Sequence, residues 1–261
     1  MKKLCLVVLA IFAASLFVGY VASAKTIEEI MANVEAGAKK IKDVTGVQVL
    51  QFIIENEMVK ATNKFQAKVP DKFRSETSFP IPGQKAVQQV ITVCDGKTIW
   101  EYVPGPTKED RKVIKMDLSK TAGELETYKK KLMETGFVGL SAEDILKVAE
   151  ADYDIKVGKS VKLNGKEMDV IEGTLKPSAA KSAKTGAVNL PTPATISYLI
   201  GAKDGFIYKI EGKDKAGKTV LSISYENLKF NTGTKDTVFK FKPPKGVEVF
   251  DASEVAPHVV K

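Results

Sequence analysis

Histidine is almost missing from this chain: His258, near the C-terminus, is the only one in 261 residues. A metal centre built from clustered histidine and cysteine therefore lacks its ligands. Cysteine is nearly as scarce, with Cys5 and Cys94 alone. Cys5 falls in a leader expected to be removed, so the mature chain could form no internal disulfide. No glycine-rich phosphate loop stands at a strand-to-helix junction. Beyond the leader, no apolar run reaches the length of a membrane helix. There is no internal repeat, no long low-complexity tract and no linker that would divide the chain.

Catalytic groups are equally hard to assemble. Cys94 has no histidine near it in the pattern, and the charge of adjacent Asp95 raises a thiol pKa instead of lowering it. The acidic pair Glu109-Asp110 falls in a loop. Glu143-Asp144 falls in the first turn of an expected helix, where the helix dipole accounts for it. The chain is expected not to be an enzyme, and no cofactor is implied.

What is present begins with a leader. Lys2 and Lys3 precede an apolar stretch from Leu4 to Val18, and Ala22-Ser23-Ala24 supplies small residues for cleavage. Residues 1–24 are thus expected to be a signal peptide and 25–261 one mature domain. Cys5 lies too far upstream to be an acylated first residue, so a soluble exported protein is expected. Removing the leader takes two lysines and no acids, and the net charge falls from +8 to +6. The lysines are scattered, as on a solvated surface, and nucleic acid is not an expected partner.

Residues 26–42 read as a helix, with Thr26 as its cap, Glu28 and Glu29 at its positive end, and Ile27, Ile30, Met31, Val34 and Ala38 on one face. From about 47 to 103 the period becomes two. Phe65, Ala67 and Val69 alternate with Lys64, Gln66 and Lys68. "VQQVITVC" and "KTIWEY" are strand-like runs joined by Asp95-Gly96, a dipeptide suited to a tight hairpin. Residues 117–150 turn helical, with Gly136 and Gly139 as interruptions. The remainder returns to strands, ending in "VFKFKPP", with tight turns at Asn164-Gly165 and Asp204-Gly205; only 176–194 reads as a surface loop. Short connections make neighbouring strands antiparallel.

Strand parity assigns Phe52, Ile54, Phe65, Phe73, Phe79, Ile91, Trp100, Tyr102, Phe206, Tyr208, Ile223, Tyr225, Phe239 and Phe241 to one inward face. This is either the core of a β protein or a surface that contacts an apolar ligand. With its signal peptide, short first helix, "PDKFRSE", "VCDGKTIWEY" and the ending "VFKFKPPKGVEVFD", the chain resembles the periplasmic lipoprotein carriers of the LolA family. The resemblance implies a mainly β (α+β) fold, a half-open antiparallel barrel whose concave face is covered by helices. It also implies a monomeric periplasmic carrier that shields the acyl chains of a lipoprotein or another lipid. Cargo would come from an inner-membrane donor transporter and go to an outer-membrane acceptor.

The lipid-binding set it implies is the inward residues from Phe52 to Tyr225, joined by Leu125, Leu132, Met133 and Phe137 as a movable lid. Val69 departs from the family pattern, in which an arginine commonly precedes the proline and bonds to the lid. A periplasmic module that senses lipoproteins and signals through a partner is the alternative reading of the same fold. An acylated acceptor and a hydrolase are further ones.

Overall fold

The computed structural model describes residues 25–54, 57–80, 87–120, 146, 149–179 and 192–253. The first element, α1 (Ile27–Lys40), starts where the sequence places it. The Thr26 hydroxyl accepts from the Glu29 amide, and the Glu29 carboxylate accepts from the Thr26 amide, a reciprocal capping box that satisfies two amides otherwise left open.

Among the described residues thirteen strands follow: β1 (Asp43–Ile54), β2 (Glu57–Lys68), β3 (Lys72–Pro80), β4 (Val87–Asp95), β5 (Thr98–Val103), β6 (Lys112–Asp117), β7 (Tyr153–Val157), β8 (Val161–Leu163), β9 (Lys166–Leu175), β10 (Thr195–Gly201), β11 (Ile207–Lys213), β12 (Thr219–Phe230) and β13 (Val249–Asp251). All belong to one sheet, ordered β13-β6-β5-β4-β3-β2-β1-β12-β11-β10-β9-β7, with β8 also on β9. The order does not close on itself, so the sheet is open. Every pair is antiparallel except β13 with β6, the one departure from the expected pattern. β6 is not foreseen by the sequence, in which Glu109-Asp110 reads as part of a loop and a helical stretch is expected from 117.

The turns match their sequence signals. The Asp95 carboxylate accepts from the amides of Lys97 and Thr98, and Gly96 takes φ +93°. Asn164-Gly165 and Asp204-Gly205 also turn with positive φ at glycine.

Directly opposed residues share a face, so the pairing registers divide the sheet into two sides. One side is roofed by α1. Ile30 and Val34, 0% and 1% exposed, meet Tyr153 of β7, Ile171 of β9, Ile196, Tyr198 and Ile200 of β10, Ile207 and Ile210 of β11, and Ile223 of β12. The helix sits very close to the β10–β11 turn. A Cβ on Gly37 would fall 1.9 Å from the Asp204 carbonyl oxygen, and one on Gly205 2.2 Å from that of Asn33. Asn33 in turn donates to the carbonyls of Gly201 and Ala202, both at 3.3 Å. We call this side the helix face.

The opposite side carries a strap. "VFKFKPP" is not a strand, contrary to expectation: a 3₁₀ turn (Asp236–Phe239) leads into a segment without strand pairing. The turn lies against β3 and β4 and buries Phe239 to 1% exposure. The Asp43 carboxylate holds the start of the strap. It accepts from the Thr232 amide and hydroxyl (both 2.8 Å), the Gly233 amide and the Thr234 hydroxyl (both 3.0 Å). Asp236 then bonds Lys68 at 2.6 Å and Lys72 at 2.9 Å.

These contacts set an acid response. At Asp43, burial works against the charge, but the four donors outweigh it and hold the pKa at about 2. Asp236 is held at about 2 by hydrogen bonds from Lys68 and Lys72. Both values lie below the roughly 3.9 of an unfolded aspartate. Their contribution is therefore complete above pH 4 and is lost as the pH falls through 2. Asp43→Asn is expected to lower the urea midpoint at pH 7, with a difference from wild type that shrinks towards pH 2. A difference that does not change with pH would contradict this.

Candidate functional site

The residues of the implied lipid-binding set do not all meet on one side. Phe52 and Ile54 of β1, Phe65 of β2, and Phe73 and Phe79 of β3 share the helix face, as the pairs Gly46–Phe65, Phe52–Val59 and Ala67–Phe73 require. Ile223 and Tyr225 of β12 join them through Leu50–Ile223 and Gln48–Tyr225.

Phe65 reaches Tyr225 over Gly46, where a Cβ would come within 3.3 Å of its ring. The two rings meet edge to face at 5.9 Å. Phe206 stacks edge-on against Tyr225 at 5.3 Å, Tyr208 at 5.3 Å and Phe230 at 5.1 Å. Such T-shaped contacts put the positive ring edge on the negative ring face. Tyr208 is largely spoken for: its hydroxyl donates to Asp204 and accepts from Lys166, both at 2.7 Å.

Ile91, Trp100 and Tyr102 are a correction. β4 pairs with β3 so that Cys94 opposes Phe73, and with β5 so that Val93 opposes Trp100 and Ile91 opposes Tyr102. These three residues consequently point to the strap face. There Phe241 covers Trp100 at 5.6 Å and Tyr102 at 6.1 Å. The aromatics of the "DGKTIWEY" hairpin serve to seat the strap, and Phe239 and Phe241 belong to the strap itself. Leu125, Leu132, Met133 and Phe137 lie outside the described residues, as does His258.

Cys94 sits on the helix face and is 2% exposed. Burial, reinforced by Asp95 and Asp71, pushes its thiol above the ordinary range. A protonated, buried thiol is a poor nucleophile. Among the described residues no group of three or more acids, cysteines or histidines is placed to hold a metal ion, and no helix is long and apolar enough to cross a membrane.

The helix face also holds polar residues that strand parity of the aromatics alone does not single out. Gln48 donates to the Tyr225 hydroxyl at 3.1 Å, Asn63 to the Gln48 carbonyl at 3.4 Å, and Ser75 to the Asn63 carbonyl at 2.7 Å. Thr77 lies 3.4 Å from Ser75. Gln48, Asn63, Ser75 and Thr77 are 0–6% exposed. Their parity is that of Phe65 and Phe73, so the sequence carries the signal. Glu101 shares this face, and burial raises its carboxyl above the usual range.

Elsewhere, a groove of about 340 Å³ opens at the irregularity in β1–β12 pairing, lined by Lys64, Gln66, Arg74, Glu76 and Lys229 among others. Arg74 is held there by Glu76 at 2.8 Å.

No protein-family model matches the chain, and neither does the sequence of any curated protein. Solved structures do match. An uncharacterized conserved protein from Thermus thermophilus superposes with a TM-score of 0.48 at 15% identity, over 86% of this chain and 98% of that one. MucB gives 0.47 at 10% identity, over 85% of this chain and 64% of that one. A LolA superfamily protein from Nitrosomonas europaea gives 0.31 at 12% identity, over 84% and 99%. Among the described residues the architecture is one open sheet, antiparallel but for β13 with β6, with a helix laid across one face.

Proposed function

We propose that the protein is an exported carrier that shelters the acyl chains of a lipoprotein or another lipid on its helix face. One observation carries the reading. The core cluster beneath α1 draws its strand residues from β7 and β9–β12, whereas Phe52, Ile54, Phe73 and Phe79 continue the same apolar face beyond it and are only half-buried. Such a face is suited to hydrocarbon. Phe65 and Tyr225 would border the bound chain on the side nearer α1.

The magnitudes favour direct transfer. Hydrocarbon burial is worth about 0.8 kcal/mol per methylene, so three long chains represent on the order of 30 kcal/mol against water. Non-covalent affinities saturate near roughly 20 kcal/mol. Cargo therefore passes from protein to protein, from an inner-membrane donor to an outer-membrane acceptor, without release into water. Leu125, Leu132, Met133 and Phe137 would form part of the lid that admits it.

Native mass spectrometry of protein isolated from its own compartment is expected to show bound lipid or lipoprotein. The delipidated protein is expected to take up a fluorescent acyl probe. Absence of both would contradict the reading.

A further inference from the structure

The polar ladder on the helix face is costly, because each of its groups is withdrawn from water and must be bonded in place. Ladder members lie on four adjacent strands, β12, β1, β2 and β3, in the middle of a face otherwise lined by Phe52, Leu50, Phe65 and Ile223. Purely structural requirements would be met more cheaply by apolar side chains of similar volume.

The direction of its hydrogen bonds says what the ladder offers. The proton of Ser75 goes to Asn63, so Thr77 donates to Ser75. Asn63 donates to Gln48, and Gln48 to the Tyr225 oxygen. Each of these four bonds points towards Tyr225. Its own hydroxyl proton has no acceptor among the described residues, although its ring is fixed between Phe65 and Phe206. Bonds aligned in one direction polarise each other, and the last donor of the chain is strengthened. Burial keeps this phenol protonated over the physiological range, Gln48's donation opposing the shift only in part.

We infer that the Tyr225 hydroxyl, backed by Gln48, Asn63, Ser75 and Thr77, donates a hydrogen bond to the carbonyl that joins an acyl chain to its glyceryl group. The site thereby selects ester-linked chains over bare or ether-linked hydrocarbon. This inference rests on the carrier reading above and adds a substrate class to it. The carbonyl is the fitting acceptor because it is uncharged, so its desolvation is offset by a single neutral donor. A carboxylate would bring a full charge into the same apolar surroundings.

The test compares two fluorescent probes of equal chain length, a diacylglyceryl ester and its dialkyl ether analogue, on wild type, Tyr225→Phe and Thr77→Val. Wild type is expected to bind the ester about tenfold more tightly, the size of effect one well-placed buried hydrogen bond gives. Tyr225→Phe is expected to lose that preference while holding the ether as wild type does, which separates loss of the donor from loss of fold. Thr77→Val, at the far end, is expected to weaken the preference and keep its sign. Equal binding of both probes by wild type would overturn the inference and leave the carrier reading standing. Binding of neither would overturn both. Loss of preference in Thr77→Val with Tyr225→Phe unchanged would overturn the assignment of the donor to Tyr225.

Discussion

Phe52→Glu is expected to weaken acyl-probe binding at least tenfold, whereas Ile53→Glu, one residue along the same strand, leaves it within about twofold. Both side chains are half-buried in the free protein. Phe52 points to the helix face with Val59 and Leu221, and Ile53 points to the strap face opposite Met58, which is 46% exposed. A carboxylate at 52 must either be desolvated against hydrocarbon or displace it, at a cost of several kcal/mol. Tenfold corresponds to only about 1.4 kcal/mol, so the expected loss is a lower bound. A fluorescence titration of both variants checks it. Phe79→Glu on β3 and Ile91→Glu on β4 repeat the contrast two and three strands further on. Equal losses at 52 and 53 would mean that the ligand does not distinguish the faces.

Ile30→Asp is expected to destabilise the protein by at least about 4 kcal/mol. Ile30 is 0% exposed in the cluster that joins α1 to the sheet. Truncating such a side chain costs roughly 2–5 kcal/mol in transfer and cavity terms, and an unpaired carboxylate at the site adds its own desolvation. Against a typical stability of about 5–15 kcal/mol, this removes much of the margin. A helix of 14 residues is marginal in water by itself, so α1 should unfold as it leaves the sheet. Urea unfolding followed by far-ultraviolet circular dichroism measures the effect. Ile30→Val, expected to cost only about 1 kcal/mol, controls for general disturbance of the core. A wild-type midpoint for Ile30→Asp would show that α1 does not roof the sheet in solution.

The boundaries of α1, the hairpin turns and most of the described strands are legible in the sequence because each depends on local chemistry. Thr26 caps through its own hydroxyl, and Asp95-Gly96 turns through its own side chain and free φ. The face of each strand is less legible. Alternation fixes which residues go together, but its phase is set by what covers the sheet.

Around β4 and β5 both sides are covered, so Ile91, Trp100 and Tyr102 alternate as convincingly outward as inward. Their cover is the strap, and its sequence "VFKFKPP" alternates like a strand. It escapes strand pairing because Asp43, Lys68 and Lys72 fasten its start across the sheet, contacts between residues more than 160 positions apart. The buried polar ladder is legible in principle. Gln48, Asn63, Ser75 and Thr77 all occupy inward positions, but a reading led by aromatics gives them no weight.

In the proposed carrier, hydrocarbon lies on the α1 side of the sheet. A photoreactive acyl probe, cross-linked to the intact protein and mapped by mass spectrometry, reports which side it occupies. Labels at Phe52, Phe65, Phe79 or Tyr225 are the expected result. Labels concentrated at Ile53, Ile91, Trp100 or Phe241 would contradict it.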